Sequence, residues 1–144
     1  MPLRFAPLAL LLLAGCGGPA SPLVAELAGT TWTVDRIVVS DSDIRRGDGE
    51  TLTFGDGGAV TMQSCNTCNG RVRADGGALQ IPATLACTRR ACGPGVLELE
   101  RLLTDRSLRR EGIYLIADGP SPLAADGTPQ VLPTVILVQA PAAP

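Results

Sequence analysis

Apolar runs of four to nine residues alternate with turn signals rich in glycine and aspartate along most of this 144-residue chain. That rhythm constrains the fold more than any other feature, because such runs suit short antiparallel strands joined by tight turns. Thr31 to Val39 reads as a strand. Thr51 to Phe54 pairs naturally with Ala59 to Gln63 across Gly55-Asp56-Gly57-Gly58, placing Leu52, Phe54, Val60 and Met62 on one face. Arg71 to Ala74 and Ala78 to Ile81 form a second hairpin that turns at Asp75-Gly76-Gly77. Ile113 to Ala117 and Val131 to Val138 supply the last strands, and Pro133 inside the final run implies an edge or a bulge. Helical period occurs in one stretch, Pro94 to Asp105, where Val96, Leu99 and Leu103 form a stripe flanked by Leu102, with Glu98, Glu100 and Arg101 on the other face. Pro94 suits the first turn, and Glu98 suits the amino end of the helix dipole. The expected fold is mainly β (α+β), a small antiparallel sheet or partial barrel with one packed helix and disulfide staples.

The chain opens with MPLRFAPLALLLLAGC, in which Arg4 precedes an apolar run from Phe5 to Leu13 and small residues lead to Cys16. This is the pattern of a secretory signal peptide, and the run falls short of the ~20 residues of a spanning helix. Leu13-Ala14-Gly15-Cys16 resembles the lipobox of bacterial lipoproteins, which makes Cys16 the acylated first residue of the mature chain. Acyl chains such as palmitate contribute about 0.8 kcal/mol per buried methylene, so several of them hold a domain on a bilayer. Gly17 follows, where enteric inner-membrane retention wants Asp, so the outer membrane is favoured if two membranes are present. The organisation read from the chain is a signal peptide at 1–15, an anchor and tether at 16–25, one domain at 26–138 and a fraying tail at 139–144.

Four cysteines remain after Cys16: Cys65, Cys68, Cys87 and Cys92. An even number in an exported chain implies two disulfides, of which three connectivities are possible. A bond between Cys65 and Cys68 would staple almost nothing. The nested pairing of Cys65 with Cys92 and Cys68 with Cys87 would lock the second hairpin to the segment entering the helix, each such loop contributing about 3 to 4 kcal/mol in the chain-entropy picture. Two other readings use the same sulfurs. The spacing approaches that of a four-cysteine zinc ribbon with a wide second pair. Cys65-Asn66-Thr67-Cys68 could be a redox pair, although Asn69-Gly70 directly after it signals a turn rather than the helix such pairs need.

Composition removes whole classes of activity. The chain has no histidine, and all twelve basic residues are arginine, which excludes Ser-His-Asp and Cys-His catalysis, histidine metal ligands and Schiff-base lysines. A net charge of −2 with interspersed signs disfavours nucleic acid as a partner. The mature chain keeps Trp32, Phe54 and Tyr114 as its aromatics, too few for a stacking platform. No cofactor fingerprint occurs. The acidic stretch Asp41 to Glu50 places Arg45 where a calcium loop needs an oxygen ligand, so it reads as a solvated loop, with Arg46-Gly47-Asp48 a chance tripeptide. Glu98 and Glu100, two apart on a helix, point in different directions and make a poor acid–base pair.

A set of residues then resembles the META-domain, HslJ-like lipoprotein family: Leu27, Gly29, Thr30 and Trp32; Cys65, Asn66 and Gly70; Thr88, Arg89 and Cys92; Glu100 and Leu103; Tyr114 and Ile116. The chain departs from the family in carrying Ser64 where glycine is usual before Cys65-Asn66, and in adding Cys68 and Cys87. The resemblance implies an antiparallel β domain with one packed helix, located in the envelope and associated with stress tolerance, with no enzymatic activity and no established ligand. Read from chemistry alone, Trp32 belongs in the core with its indole N–H on a carbonyl, Asn66 and Gly70 shape a turn, and Arg89 is either solvated or a partner contact. The leading expectation is a lipid-anchored, non-enzymatic envelope protein with a possible envelope protein partner. The alternatives are a secreted hydrolase inhibitor presenting Asp41 to Glu50, and a thiol-disulfide oxidoreductase using Cys65 and Cys68.

Overall fold

A computed structural model describes residues 21–93, 98–118 and 133–141. Among these, eleven antiparallel strands form one sheet that curls into a half-barrel. In chain order they are β1 (Thr31–Ser40), β2 (Asp43–Arg46), β3 (Thr51–Phe54), β4 (Ala59–Gln63), β5 (Thr67–Arg71), β6 (Arg73–Asp75), β7 (Ala78–Gln80), β8 (Ala86–Cys87), β9 (Ser107–Glu111), β10 (Tyr114–Asp118) and β11 (Thr134–Gln139). Their order across the sheet is β6-β7-β9-β10-β11-β1-β3-β4-β5-β8, with β2 attached to β1. Two short helices accompany them, α1 (Pro22–Leu27) and α2 (Leu99–Leu103).

The core follows from two-residue alternation. Trp32 and Val34 on β1, Leu52 and Phe54 on β3, Val60 and Met62 on β4, Leu115 and Ala117 on β10, and Val135 and Leu137 on β11 are all buried. Burying a side chain of this kind contributes roughly 1.5–3 kcal/mol, so the closed face of the half-barrel carries most of the stability. The β3–β4 hairpin has the expected register, Leu52 opposite Met62 and Phe54 opposite Val60, and its turn is a short 3-10 segment at Asp56–Gly58. The β6–β7 hairpin also turns at Gly76-Gly77 as its sequence implies.

Several elements differ from the sequence reading, each for an identifiable reason. The first six residues past Ser21 form α1 rather than the end of a tether: Pro22 pre-sets the first turn, and Leu23, Val24 and Leu27 pack on the core. Asp43–Arg46 is β2, not a solvated loop, because the carboxy-terminal half of β1 offers it a free edge. Gly47 makes this possible: a side-chain carbon there would stand 2.1 Å from the Val34 carbonyl oxygen, at the point where the register of β1 shifts between Val34 and Arg36. Arg46-Gly47-Asp48 is therefore a packing device. The Asn69-Gly70 dipeptide lies inside β5, paired with Thr61 and Val60, and the chain turns earlier, at 64–66. Gly70 in a strand leaves room for the Leu85 side chain, whose Cδ2 would lie 2.4 Å from an added Cβ. Pro133 stands just before β11, whose neighbours are β10 and β1, so it marks the start of an interior strand and not an edge. Within α2, Leu99 and Leu103 are buried and Leu102 packs against the core as the stripe requires, but Glu98 is extended, so the helix starts at Leu99. The rest of the expected helix start, 94–97, lies outside the described residues, as do Val131 and Leu132.

Candidate functional site

The family-type residues fall into two groups, at opposite ends of the β3–β4–β5 meander. The first is the junction from α1 into β1. Gly29, with φ +75°, reverses the chain, and its N–H donates to the Phe54 carbonyl at 2.8 Å. The Thr30 hydroxyl donates to the Leu27 carbonyl at 2.6 Å and accepts the Trp32 indole N–H at 2.8 Å. Trp32 is fully buried, and its partner is this hydroxyl rather than the carbonyl expected. Arg110 of β9 lies over the indole ring, 5.9 Å from its centroid, and pairs with Glu26 of α1. A cleft of about 630 Å³ opens beside this pair, lined by Ser21, Pro22, Leu23, Glu26, Arg110 and Gly112 among others. Its carboxylate, Glu26, is committed to Arg110, and Arg109, which also lines it, pairs with Glu111. Tyr114, the last family-type aromatic, sits in β10 opposite Val138 and Glu111 and contributes to sheet pairing.

The second group is a polar cluster around the turn between β4 and β5, where two nested disulfides, Cys65–Cys92 and Cys68–Cys87, tie β5 to β8 and to the chain ahead of α2. Cys68 and Cys87 are direct cross-strand partners. Cys65 and Cys68 are thus bonded to different sulfurs, which overturns the redox-pair reading, and neither pair is available to a zinc ribbon. Asn66 is the hub. Its Oδ1 accepts the backbone N–H of Arg90 at 2.8 Å and the Thr88 hydroxyl at 3.2 Å, while its Nδ2 donates to Glu100 Oε1 at 3.3 Å. The Ser64 hydroxyl donates to Glu100 Oε2 at 3.2 Å, and Thr88 exchanges bonds with the backbone of Thr67 at 3.0 Å in both directions. Ser64, where the family favours glycine, therefore uses its hydroxyl to hold the same carboxylate as Asn66.

Glu100 accordingly faces the turn and not solvent, whereas Glu98 pairs with Arg101 at 3.0 Å. The two carboxylates have different partners, but not by helical spacing, since Glu98 stands before the helix and only Glu100 lies on it. Arg89, in the same stapled loop, is exposed. Among the described residues no group of three or more carboxylates and cysteines is arranged to hold a metal ion.

Sequence reasoning missed two buried polar groups. Arg106 donates through Nη1 to the carbonyls of Leu102 at 3.0 Å and Pro133 at 2.6 Å, closing the end of α2 against the start of β11. Glu50 accepts the Asp48 N–H at 2.7 Å and so braces the link from β2 to β3. Their partners are main-chain groups, which no side-chain pattern in the sequence marks, and one of them, the Pro133 carbonyl, reaches Arg106 from 27 residues away.

A family model for the META domain matches residues 25–109, more than half of the chain. The fold is also that of solved structures. An NMR structure of a protein from Burkholderia xenovorans aligns with a TM-score of 0.54 at 20% identity, covering 97% of this chain and 99% of that one. A second NMR structure aligns with the same TM-score at 17% identity, covering 80% of this chain and 92% of the other. No curated protein matches the chain at a significant level.

Proposed function

The chain belongs to the META-domain family, and from that premise we propose that it is a lipid-anchored cell-envelope protein whose role is binding, without catalysis, in envelope stress tolerance. The observation that carries this reading is the disposition of the cysteines: four are consumed in two disulfides, as suits an oxidising compartment, and the fifth closes Leu13-Ala14-Gly15-Cys16 behind an apolar run. The META domain is not a known enzyme family. Both polar groupings described above are engaged in holding the structure together, and neither pairs a nucleophile with a base. Acylation of Cys16 would leave 17–21 before α1, a length of at most about 20 Å when extended at roughly 3.5 Å per residue, so the α1 end of the domain would lie near the bilayer. Gly17 favours the outer membrane where there are two.

Metabolic labelling with an alkyne-bearing fatty acid tests the anchor. Label on the full chain, lost together with membrane association in Cys16→Ser, is the expected result. An unlabelled chain recovered from the soluble fraction would overturn it.

A further inference from the structure

We propose that the loop 88–93, together with the adjoining edge strand β8, is a docking surface for an acidic, extended segment of another exported protein. The first argument is charge. Between residues 57 and 97 the chain carries Arg71, Arg73, Arg89 and Arg90 against a single carboxylate, Asp75, although the whole chain has a net charge of −2. Elsewhere most arginines face a carboxylate: Arg36 with Asp35, Arg45 with Asp43, Arg101 with Glu98, Arg109 with Glu111 and Arg110 with Glu26. Arg106 is buried on two carbonyls, and Arg46, next to the Asp43–Arg45 pair, is exposed with no carboxylate partner among the described residues. Arg89 and Arg90 are exposed and have no carboxylate partner among the described residues.

The second argument is rigidity. The loop leaves Cys87 and reaches Cys92, both disulfide-bonded, and between them the Arg90 N–H is held by Asn66 and Thr88 by Thr67. Two guanidinium groups on a backbone fixed this firmly lose little backbone entropy on binding. The third is the edge itself: β8 ends the order of strands, with no strand beyond it among the described residues. An extended segment can pair with such an edge while its carboxylates meet Arg89 and Arg90.

Position selects a protein segment over lipid headgroups. The Val24 side chain lies 3.5 Å from where a Gly58 side chain would start, so α1 packs at the β3–β4 turn, whereas Asn66 and the stapled loop lie at the other end of β4 and β5. This fourth step rests on the anchored reading above, under which the loop faces away from the bilayer.

The test uses the full-length Cys16→Ser chain with disulfides intact, so that acylation does not enter the result. A fluorescent Glu/Asp-rich peptide is titrated at low salt, beside its Gln/Asn counterpart and phosphatidylglycerol vesicles. Expected are binding of the acidic peptide alone and a loss of about tenfold or more in R89E/R90E, with no change in the control R45E/R46E on β2. R89Q/R90Q serves if charge reversal disturbs disulfide formation, judged by non-reducing intact mass. Absence of peptide binding, equal loss in both charge-reversed chains, or binding to vesicles alone would overturn the proposal while leaving the labelling result at Cys16 untouched.

Discussion

Between β10, β11, β1 and β3 the sheet is held by apolar side chains, with Leu115, Leu137, Trp32 and Leu52 all fully buried. Between β5 and β8 it is held by sulfur and by one amide: Cys68 is the buried residue of β5, both residues of β8 are exposed, and Asn66 ties the turn to the loop and to Glu100. The contrast shows how a small exported domain copes with a segment too polar to bury. Where alternation supplies enough apolar area, packing suffices. Where it does not, covalent closure lowers the entropy of the unfolded chain, and a hydrogen-bond hub fixes the conformation.

The two regions should therefore fail differently. Trp32→Ala removes the largest buried side chain of the packed half and the acceptor role of Thr30; a loss of about 3 to 5 kcal/mol is expected by urea denaturation. A loss under about 1 kcal/mol would mean that the sheet centre is not the source of stability. Replacing Cys65 and Cys92 by serine opens a closure of 27 residues in sequence separation, and about 3.5 kcal/mol is expected from the chain-entropy relation. Native-state hydrogen exchange should then quicken first at 86–93, with β10 and β11 still protected. Uniform exchange across the sheet would erase the distinction drawn between the regions.

Smaller effects sharpen it. Gly47→Ala forces a methyl against the Val34 carbonyl oxygen and should cost about 1 to 3 kcal/mol, with chemical-shift changes concentrated in β1 and β2. Asn66→Ala leaves the Arg90 N–H and Glu100 short of partners and should cost about 1 to 2 kcal/mol, while raising exchange in 88–93. If Asn66→Ala leaves that loop as protected as before, the disulfides alone hold it.

Legibility tracked the range of the interactions. The β3–β4 and β6–β7 hairpins were readable because a turn and two alternating runs are contiguous in sequence. Counting loops disfavours a Cys65–Cys68 bond but leaves nested and crossed pairings open, and the placement of Cys68 opposite Cys87 across β5 and β8 decides for the nested one. β9 was missed: Ser107–Glu111 is rich in arginine, and it is a strand because β7 and β10 flank it. β5 was hidden by Asn69-Gly70, whose turn propensity yields to pairing with β4 and to the space Leu85 needs. Of the polar cluster, Asn66, Arg89 and Glu100 stood out by resemblance, but nothing in the sequence said that Asn66 would reach Glu100.

By itself the sequence determined a mainly β, disulfide-stapled domain of the META family, because alternation, turn chemistry and cysteine spacing are local or can be counted. Tertiary structure alone decided that β11 would lie between β10 and β1, that Arg106 would be buried on two carbonyls, and that one amide would gather a turn, a loop and a helix. Those outcomes depend on groups far apart in the chain, whose contact becomes favourable only after the apolar face has closed and excluded water.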